Sequence, residues 1–206
     1  MPTVAVVRVE PSPKIAVRGA VPEDAAAVAR VGLDTIRIAY RGAFPDWRLD
    51  SLTYDELTER WGRIIAAQPS RAGAFFIAED AGRAVAFAAG RPNPADGESD
   101  RGELGVIMVL PAYQGRGLGR RLVGLVAAHL AGLSMRSMIV RTLRDTTQSH
   151  RFYEALGAVF VGEQESELYG VPTVQRTYRW PDPRVLLPTS ATGEAASDIT
   201  ARKADR

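Results

Sequence analysis

The apolar positions along the chain centre on one strand, turn and helix in its middle. Leu104 to Leu110 form an uninterrupted apolar run that ends at a proline, which predicts a buried strand. A glycine-rich turn, Gln114 to Gly119, comes next. The helix predicted after it has one apolar face, formed by Leu118, Leu122, Leu125 and Val126. A glycine turn lets the backbone approach a ligand, and unpaired N–H groups at a helix start attract negative charge. The segment therefore predicts an anion-binding site.

Hydrophobic periodicity on either side of this segment predicts the order β-α-α-β-β-β-α-β-α-β-β. The predicted elements are a strand at 15–18, a helix from Pro22 towards Tyr40, a helix opened by a Thr53/Glu56 capping box, a hairpin over 74–90, strands at 104–110 and 137–143, a helix at 148–156, and strands at 159–163 and 173–180. The segment from Gly42 to Leu52 is predicted to be a connecting loop or, alternatively, a wall of a substrate pocket. This order indicates an α/β or α+β domain with a mixed sheet and helices on both faces.

The two ends of the chain differ in composition from its middle. Residues 1–13 contain two prolines and are predicted to be a flexible leader or an edge strand. Residues 14–181 are predicted to form one domain. Residues 182–206 are rich in proline, small and charged residues, so we predict a disordered tail.

Composition excludes several functional classes. The chain has 206 residues, 46% of them hydrophobic and 24% charged, as in an ordinary globular protein. It has no cysteine, which excludes disulfides and thiolate catalysis, and the two histidines are too few to favour a zinc site. We expect His129 to be half-buried and His150 to be solvated at a helix start. The net charge of +2 gives no reason to expect nucleic acid as a partner. No apolar run approaches the length of a membrane span, so we expect no membrane partner and a cytoplasmic location.

The spacing of the glycines separates three kinds of phosphate-binding loop. A Walker A loop needs a lysine after its last glycine, and none follows here. A dinucleotide-binding fingerprint starting at Gly115 would need a glycine at position 120, which is arginine. The pattern Q-x-x-G-x-G, from Gln114 to Gly119 after a strand ending in V-x-P, fits without a gap and resembles motif A of the GNAT-type N-acetyltransferases. An ordinary glycine-rich connection is the remaining alternative.

A second segment carries the same resemblance. Phe152 to Gly157, F-Y-E-A-L-G, is similar to motif B of that superfamily and lies one strand beyond motif A. Thr146 stands where the family usually has an asparagine that bonds to the cofactor, and Ala158 stands where phenylalanine is common. The resemblance extends over residues 15–180. It implies the GNAT fold, a mixed central sheet of about six to seven strands flanked by about four helices.

The resemblance also implies a cofactor and its contacts. Acetyl-CoA is the expected cosubstrate, with no metal. Backbone N–H groups of the glycine turn would face its pyrophosphate, arginines would add positive charge, and the strand end would hold the pantetheine arm. A backbone N–H of the strand end, that of Val109, would polarise the thioester carbonyl. The implied cofactor-binding residues are Ile107, Met108, Val109, Gln114, Gly115, Arg116, Gly117, Leu118, Gly119, Arg120, Thr146 and Tyr153.

Two residues match the family's catalytic positions. An alkylammonium has a pKa of about 10 and must lose a proton before it attacks. Glu103, at the start of the central strand, stands where many relatives have a glutamate base, which would act directly or through a water. Tyr153 matches the tyrosine that donates a proton to the coenzyme A thiolate.

The expected reaction is direct transfer of an acetyl group to a primary amine in a ternary complex. The acceptor, a small molecule or a peptide or protein amine, stays open. Phe44, Asp46, Trp47 and Asp50 hint at an apolar, cationic acceptor. A homodimer is an open alternative for the assembly. The rival functions are a non-catalytic acyl-CoA-binding sensor and, less favoured, a dinucleotide-dependent oxidoreductase.

Overall fold

The computed structural model describes residues 15–94 and 97–187, so the predicted leader at 1–13 lies outside the described residues. The strands are β1 (Ala16–Gly19), β2 (Ala74–Asp80), β3 (Arg83–Pro92), β4 (Arg101–Val109), β5 (Ser137–Leu143), β6 (Val159–Leu168) and β7 (Val171–Trp180). The helices are α1 (Ala25–Ala39), α2 (Asp46–Ser51), α3 (Tyr54–Ala66), α4 (Leu118–Gly132) and α5 (Thr147–Ala155).

The strands of the described residues form one sheet in the order β1-β2-β3-β4-β5-β7-β6. β4 and β5 are parallel because α4 crosses between them, and all other neighbours are antiparallel. The predicted mixed sheet is therefore confirmed. Its hairpin between β2 and β3 turns at Ala81 and Gly82, whose φ angles of 47° and 76° suit a tight hairpin turn.

Helices cover both faces of the sheet and give it two apolar cores. On one face, α4 and α5 bury Leu122, Val126 and Tyr153 against the strands. On the other face, α1 and α3 close over a cluster in which the Trp61 and Phe87 rings lie 5.1 Å apart between centroids. Each face of the central strands therefore touches a different helix layer, and a gap in the sheet connects the two layers.

Such a gap opens between β4 and β5. Their parallel pairing runs from Arg101 and Ser137 to Leu104 and Val140 and then stops. Gly105 immediately follows and is the extra residue of a β-bulge, because β3 pairs with Leu104 and then with Val106. The bulge bends β4 away from β5, so the last residues of the two strands diverge.

The connection between the first two predicted helices is not a plain loop. Asp46–Ser51 forms α2, which buries Leu49 under α1. The pattern missed it because six residues are too few to show helical periodicity. The capping box that opens α3 is confirmed, since Thr53 Oγ1 accepts from Glu56 N at 3.2 Å and Glu56 Oε2 accepts from Thr53 N at 3.0 Å.

The domain continues beyond the predicted boundary at residue 181. Residues Pro183–Leu186 form a 3-10 turn in which Pro183 and Leu186 are buried, so the prediction of disorder from 182 is wrong for this turn. Its backbone lies close to α4, because a β-carbon added to Gly124 would come within 2.9 Å of the Leu186 carbonyl oxygen. Residues beyond 187 lie outside the described part of the chain.

This turn yields a stability prediction. Leu186 is 7% exposed and packs in the core under α4, so Leu186→Ala should lower the free energy of unfolding by about 2–5 kcal/mol through lost burial and a new cavity. Val185→Ala is the matched control, because Val185 is 66% exposed and should change stability by less than about 0.5 kcal/mol. Urea unfolding measures both. Equal effects would show that the turn does not pack as described.

Candidate active site

A cavity of about 440 Å³ fills the gap between the diverging strands. Gly105 to Val109 of β4 form one wall and Val140 to Thr142 of β5 the other. α4 and α5 border it on one side of the sheet, and Thr35 and Ala39 of α1 with the following Tyr40 border it on the other. The cavity therefore passes through the sheet and can admit one ligand from each face.

The glycine turn stands at the α4 side of this cavity. Gly115 and Gly117 have φ angles of 71° and 80°, a left-handed conformation that disfavours residues with a β-carbon. Within the described residues no protein acceptor bonds to the backbone N–H groups from Gly115 to Arg120, and the first intrahelical bond of α4 is from Arg121 to Gly117. These donors, at the positive end of the helix dipole, suit a pyrophosphate.

The arginines of the turn differ in position. Arg120 lines the cavity. Arg116 and Arg121 do not line it: the guanidinium of Arg116 lies 5.8 Å from the Tyr113 ring centroid, and Arg121 donates to the Ile15 carbonyl at 2.9 Å. The side chain of Gln114 donates to the Val109 carbonyl at 2.9 Å and ties the turn to the end of β4.

Tyr153 enters the cavity from α5. It is 6% exposed and packs edge-on against Trp180 with ring centroids 6.0 Å apart. No group in residues 15–94 or 97–187 hydrogen-bonds to its hydroxyl. Burial raises the pKa of Tyr153 well above its ordinary value, with a smaller contribution from Tyr40, so the phenol keeps its proton. A protonated hydroxyl on the cavity wall can donate a proton to a leaving group.

His150 fixes α5 rather than facing solvent, so the expectation for this residue is wrong. It is 6% exposed, its Nε2 lies 3.0 Å from the Leu143 carbonyl oxygen, and its ring packs on Tyr178. His129 is half-buried as expected, with Nε2 2.9 Å from the Ala72 carbonyl oxygen.

Thr146 does not line the cavity, and its contact with the cofactor stays a prediction. It is 6% exposed, donates its hydroxyl to the Leu143 carbonyl at 2.7 Å and lies 3.0 Å from the Thr142 hydroxyl. Its one hydroxyl is therefore engaged within the chain. Thr142, which precedes it in β5, lines the cavity instead.

Glu103 also lies behind the wall. One carboxylate oxygen accepts from Arg141 at 2.5 Å and the other from Asn93 at 2.9 Å, and Arg91 lies 3.9 Å away. The carboxylate therefore faces the arginine and not the cavity. The predicted role of direct general base has no geometric support, and the role through a water stays a prediction.

Of the predicted cofactor-binding residues, those that line the cavity are Ile107, Met108, Val109, Gln114, Gly115, Gly117, Gly119, Arg120 and Tyr153. Inside the turn Arg116 and Leu118 do not line it, and the side chain of Leu118 is 4% exposed and packs in the core. Its N–H group remains one of the free donors at the helix start.

The residues of the α1–α2 region that suggested the kind of acceptor do not form one site. Phe44 is buried and borders a second cavity of about 460 Å³ beside the first. Trp47 is 69% exposed, and Asp46 and Asp50 are both paired with Arg41, at 3.2 Å and 2.9 Å. A cationic acceptor therefore gains no free carboxylate from these two residues.

Arg141 is the wall residue that pattern reasoning missed. It lies in the centre of β5, whose sequence SMIVRTL is otherwise uncharged. A lone arginine in a buried strand was the available signal, because burying a charge is costly unless it is paired. The sequence did not show that Arg141 pairs with Glu103, which lies on a different strand.

Comparisons with known proteins agree with this geometry. The sequence profile of the Acetyltransferase (GNAT) family matches residues 34–158, which include the glycine turn, both diverging strands and Tyr153. The chain belongs to the GNAT acetyltransferases. A curated relative, "Uncharacterized N-acetyltransferase YuaI" of Bacillus subtilis, is 31% identical over 168 residues that cover 82% of this chain and 94% of the relative.

Solved GNAT structures resemble the described fold. A putative acetyltransferase, yncA of Salmonella typhimurium with its cofactor acetyl-CoA, has a TM-score of 0.62 at 18% identity and covers 88% of this chain and 99% of its own. The PaiA N-acetyltransferase of Thermoplasma acidophilum in complex with coenzyme A has a TM-score of 0.62 at 15% identity and covers 79% and 98%. At these identities the likeness bears on the fold alone, and it confirms the predicted GNAT fold.

None of the helices in residues 15–94 and 97–187 is both long and apolar enough to cross a membrane. In the same residues no group of three or more histidine, aspartate or glutamate side chains is arranged to hold a metal ion.

Proposed function

We propose that this GNAT protein is an acetyl-CoA-dependent N-acetyltransferase that acetylates a primary amine by direct attack in a ternary complex. The observation that supports it most is the cavity through the sheet, which joins a row of free N–H donors on one face to an open entry on the other. Two ligands entering from opposite faces would meet between β4 and β5. That is the geometry that direct transfer requires.

The cofactor-side residues fit a diphosphate with a thioester arm. The N–H groups from Gly115 to Arg120 and the Arg120 side chain would hold the pyrophosphate. Leu110 N donates to Val85 O at 3.0 Å, and hydrogen bonding alternates along an antiparallel ladder. The N–H of Val109 therefore points away from β3 and towards the gap, where it can stabilise an oxyanion. The acetyl group itself supplies the electrophilic carbonyl.

The chemistry then needs one proton delivered and one removed. The amine nitrogen bonds to the carbonyl carbon while the carbon–sulfur bond breaks. Tyr153 donates its proton to the leaving thiolate, and the proton released by the amine leaves to solvent. Tyr153 suits this step because it is buried, protonated and on the wall of the cavity.

Glu103 provides a test of how the amine loses its proton. Its carboxylate is held by Arg141 and Asn93, so Glu103→Gln should keep the acidic limb of the pH profile and lower kcat/KM for the acceptor by about tenfold as Arg141 loosens. Glu98→Gln is the matched control, since Glu98 also pairs with two arginines, Arg101 and Arg179, but neither of them lines the cavity. Loss of the acidic limb with a drop of more than about 10²-fold would restore Glu103 as the base.

The function itself is tested by thiol release from acetyl-CoA across a panel of amines. We expect release that depends on the amine. Tight binding of acetyl-CoA without release on any amine would favour the acyl-CoA-binding sensor instead.

Calorimetry with NAD should show no binding, and binding of NAD in place of acetyl-CoA would favour the oxidoreductase. A cytoplasmic location and a homodimer remain predictions.

A further inference from the structure

The acceptor side of the cavity contains one charged side chain, that of Arg141, within the described residues that line it beyond the glycine turn. Arg141 directly follows Val140, the last residue of β5 that pairs with β4. It is therefore the first residue of β5 to face the open gap. Across the gap from it stand Thr35 of α1 and Tyr40, the residue after α1, on the face of the sheet opposite α4.

Most of the hydrogen-bonding capacity of Arg141 is unused. A guanidinium has five N–H donors, and within residues 15–94 and 97–187 only Nη1 makes a hydrogen bond, to Glu103. Its Nε is buried without an acceptor, and the hydroxyl of Thr35, a residue 5% exposed, is likewise buried without a partner. Buried polar groups without partners are rare in native proteins, so two on one cavity point to a ligand that supplies acceptor atoms.

The charges around Arg141 favour an anionic ligand group. Arg141 and Arg91 together contribute two positive charges, and Glu103 between them contributes one negative charge. Two carboxylates adjacent in the chain to these segments are engaged elsewhere, Asp34 with Tyr54 at 2.8 Å and Asp145 with Arg144 at 3.6 Å. Burial raises the pKa of Tyr40 to about 12, so Tyr40 adds a neutral hydroxyl and no opposing charge.

The position of Arg141 is fixed by its neighbours. Asn93 holds one oxygen of Glu103, and Glu103 holds Arg141 with the other. A guanidinium with its orientation set in advance loses little freedom when it binds a carboxylate, which it recognises through parallel N–H groups. Glu103 and Asn93 are therefore positioning residues for Arg141.

We propose that Arg141 binds the carboxylate of the acceptor and that the acceptors of this enzyme are free amino acids with apolar side chains. The apolar preference comes from Ala39, Val106 and Met108, which form the wall beside Arg141. The proposal rests on the proposed function, since it names the acceptor class of that site. It adds a specificity-determining residue that neither motif contains.

Binding measurements test the proposal without relying on turnover. Leucine and 3-methylbutylamine have the same side chain and amine, and only leucine has a carboxylate. Calorimetric titration into the coenzyme A-saturated protein should show that leucine binds roughly 10- to 100-fold more tightly than 3-methylbutylamine. Leucinamide, which has a neutral amide at this position, should bind as weakly as the amine. Equal affinities in the wild-type protein would overturn the proposal and leave the proposed acetyltransferase function intact.

Substitutions assign the preference to Arg141. Arg141→Met should abolish the leucine preference, Arg141→Lys should keep part of it, and both should bind acetyl-CoA as the wild type does. Arg136→Met is the matched control, because Arg136 is 85% exposed and lies before β5, outside the cavity. If Arg141→Met fails to fold, the partial loss of the leucine preference in Arg141→Lys decides whether Arg141 binds the carboxylate. A preference that survives both substitutions would overturn the role of Arg141, whereas leucine bound through Arg141 but never acetylated would support it and contradict the proposed function.

Discussion

Tyr153→Phe should lower kcat by about 10²- to 10⁴-fold while the affinity for acetyl-CoA changes by less than about twofold. The substitution removes one hydroxyl on the wall of the cavity and keeps the ring that packs on Trp180. Without a proton donor, the thiolate must leave unprotonated or take its proton from solvent. Steady-state kinetics with acetyl-CoA and an accepted amine, together with calorimetry, measure the two quantities.

Tyr178→Phe is the control for this substitution. Its ring centroid lies 6.1 Å from that of Tyr153, but its hydroxyl donates to Glu154 and does not line the cavity. We expect kcat within about threefold of the wild type, with a stability loss of about 1 kcal/mol from the missing hydrogen bond. Unchanged turnover in Tyr153→Phe, or an equal loss in both variants, would remove Tyr153 from the mechanism.

The raised pKa of Tyr153 has a consequence for the pH profile. A proton donor stops working when pH rises through its folded-state pKa, and burial moves that point above the ordinary value for tyrosine. Activity should therefore rise with pH as the amine loses its proton and should show no basic limb up to about pH 10. A descending limb between about pH 8 and 9 in the wild type, absent in Tyr153→Phe, would contradict the burial of this phenol.

The second large effect is expected in the glycine turn. Replacing both Gly115 and Gly117 by alanine should weaken acetyl-CoA binding by roughly 30- to 10³-fold, because each left-handed residue with a β-carbon costs about 1–2 kcal/mol. The free turn would relax to other backbone angles, so the ligand would have to restore the strained conformation. Calorimetric titration with acetyl-CoA measures the loss.

Gly132→Ala is the matched control for the turn. Gly132 ends α4, has no positive φ, and a β-carbon there would meet no atom within 4 Å. Alanine should be neutral or stabilise the helix by up to about 1 kcal/mol, and acetyl-CoA affinity should not change. If the double alanine variant binds acetyl-CoA as tightly as this control, the backbone of the turn is not the phosphate site.

The fold and the cofactor side of the site could be predicted because their signals are local. The strand, the turn and the helix that form the proposed phosphate loop are consecutive in the chain, and Gly115 and Gly117 mark the turn by their residue type alone. Tyr153 lies inside a compact motif on one helix. Periodicity and spacing are sufficient for such features, and the structure places Gly115, Gly117 and Tyr153 on the cavity wall.

The acceptor side could not be predicted, because it depends on side chains brought together from distant segments. Glu103 resembled a base until its partners were known, and those partners, Asn93 and Arg141, come from other strands. Thr146 was assigned by its place in a motif, but the Leu143 carbonyl takes up its hydroxyl. Leu186 lay in a segment of disordered composition and is nevertheless buried against α4.

The most direct test of the central claim is the fate of the acetyl group in one reaction mixture. With acetyl-CoA and leucine, mass spectrometry should find one acetylated amine for each free thiol released, and no acetyl group on the protein. The cavity through the sheet predicts this balance, because both ligands would meet there and the amine would attack directly. Free thiol without acetylated amine, an acetylated protein intermediate, or bound acetyl-CoA that persists beside every amine would contradict it.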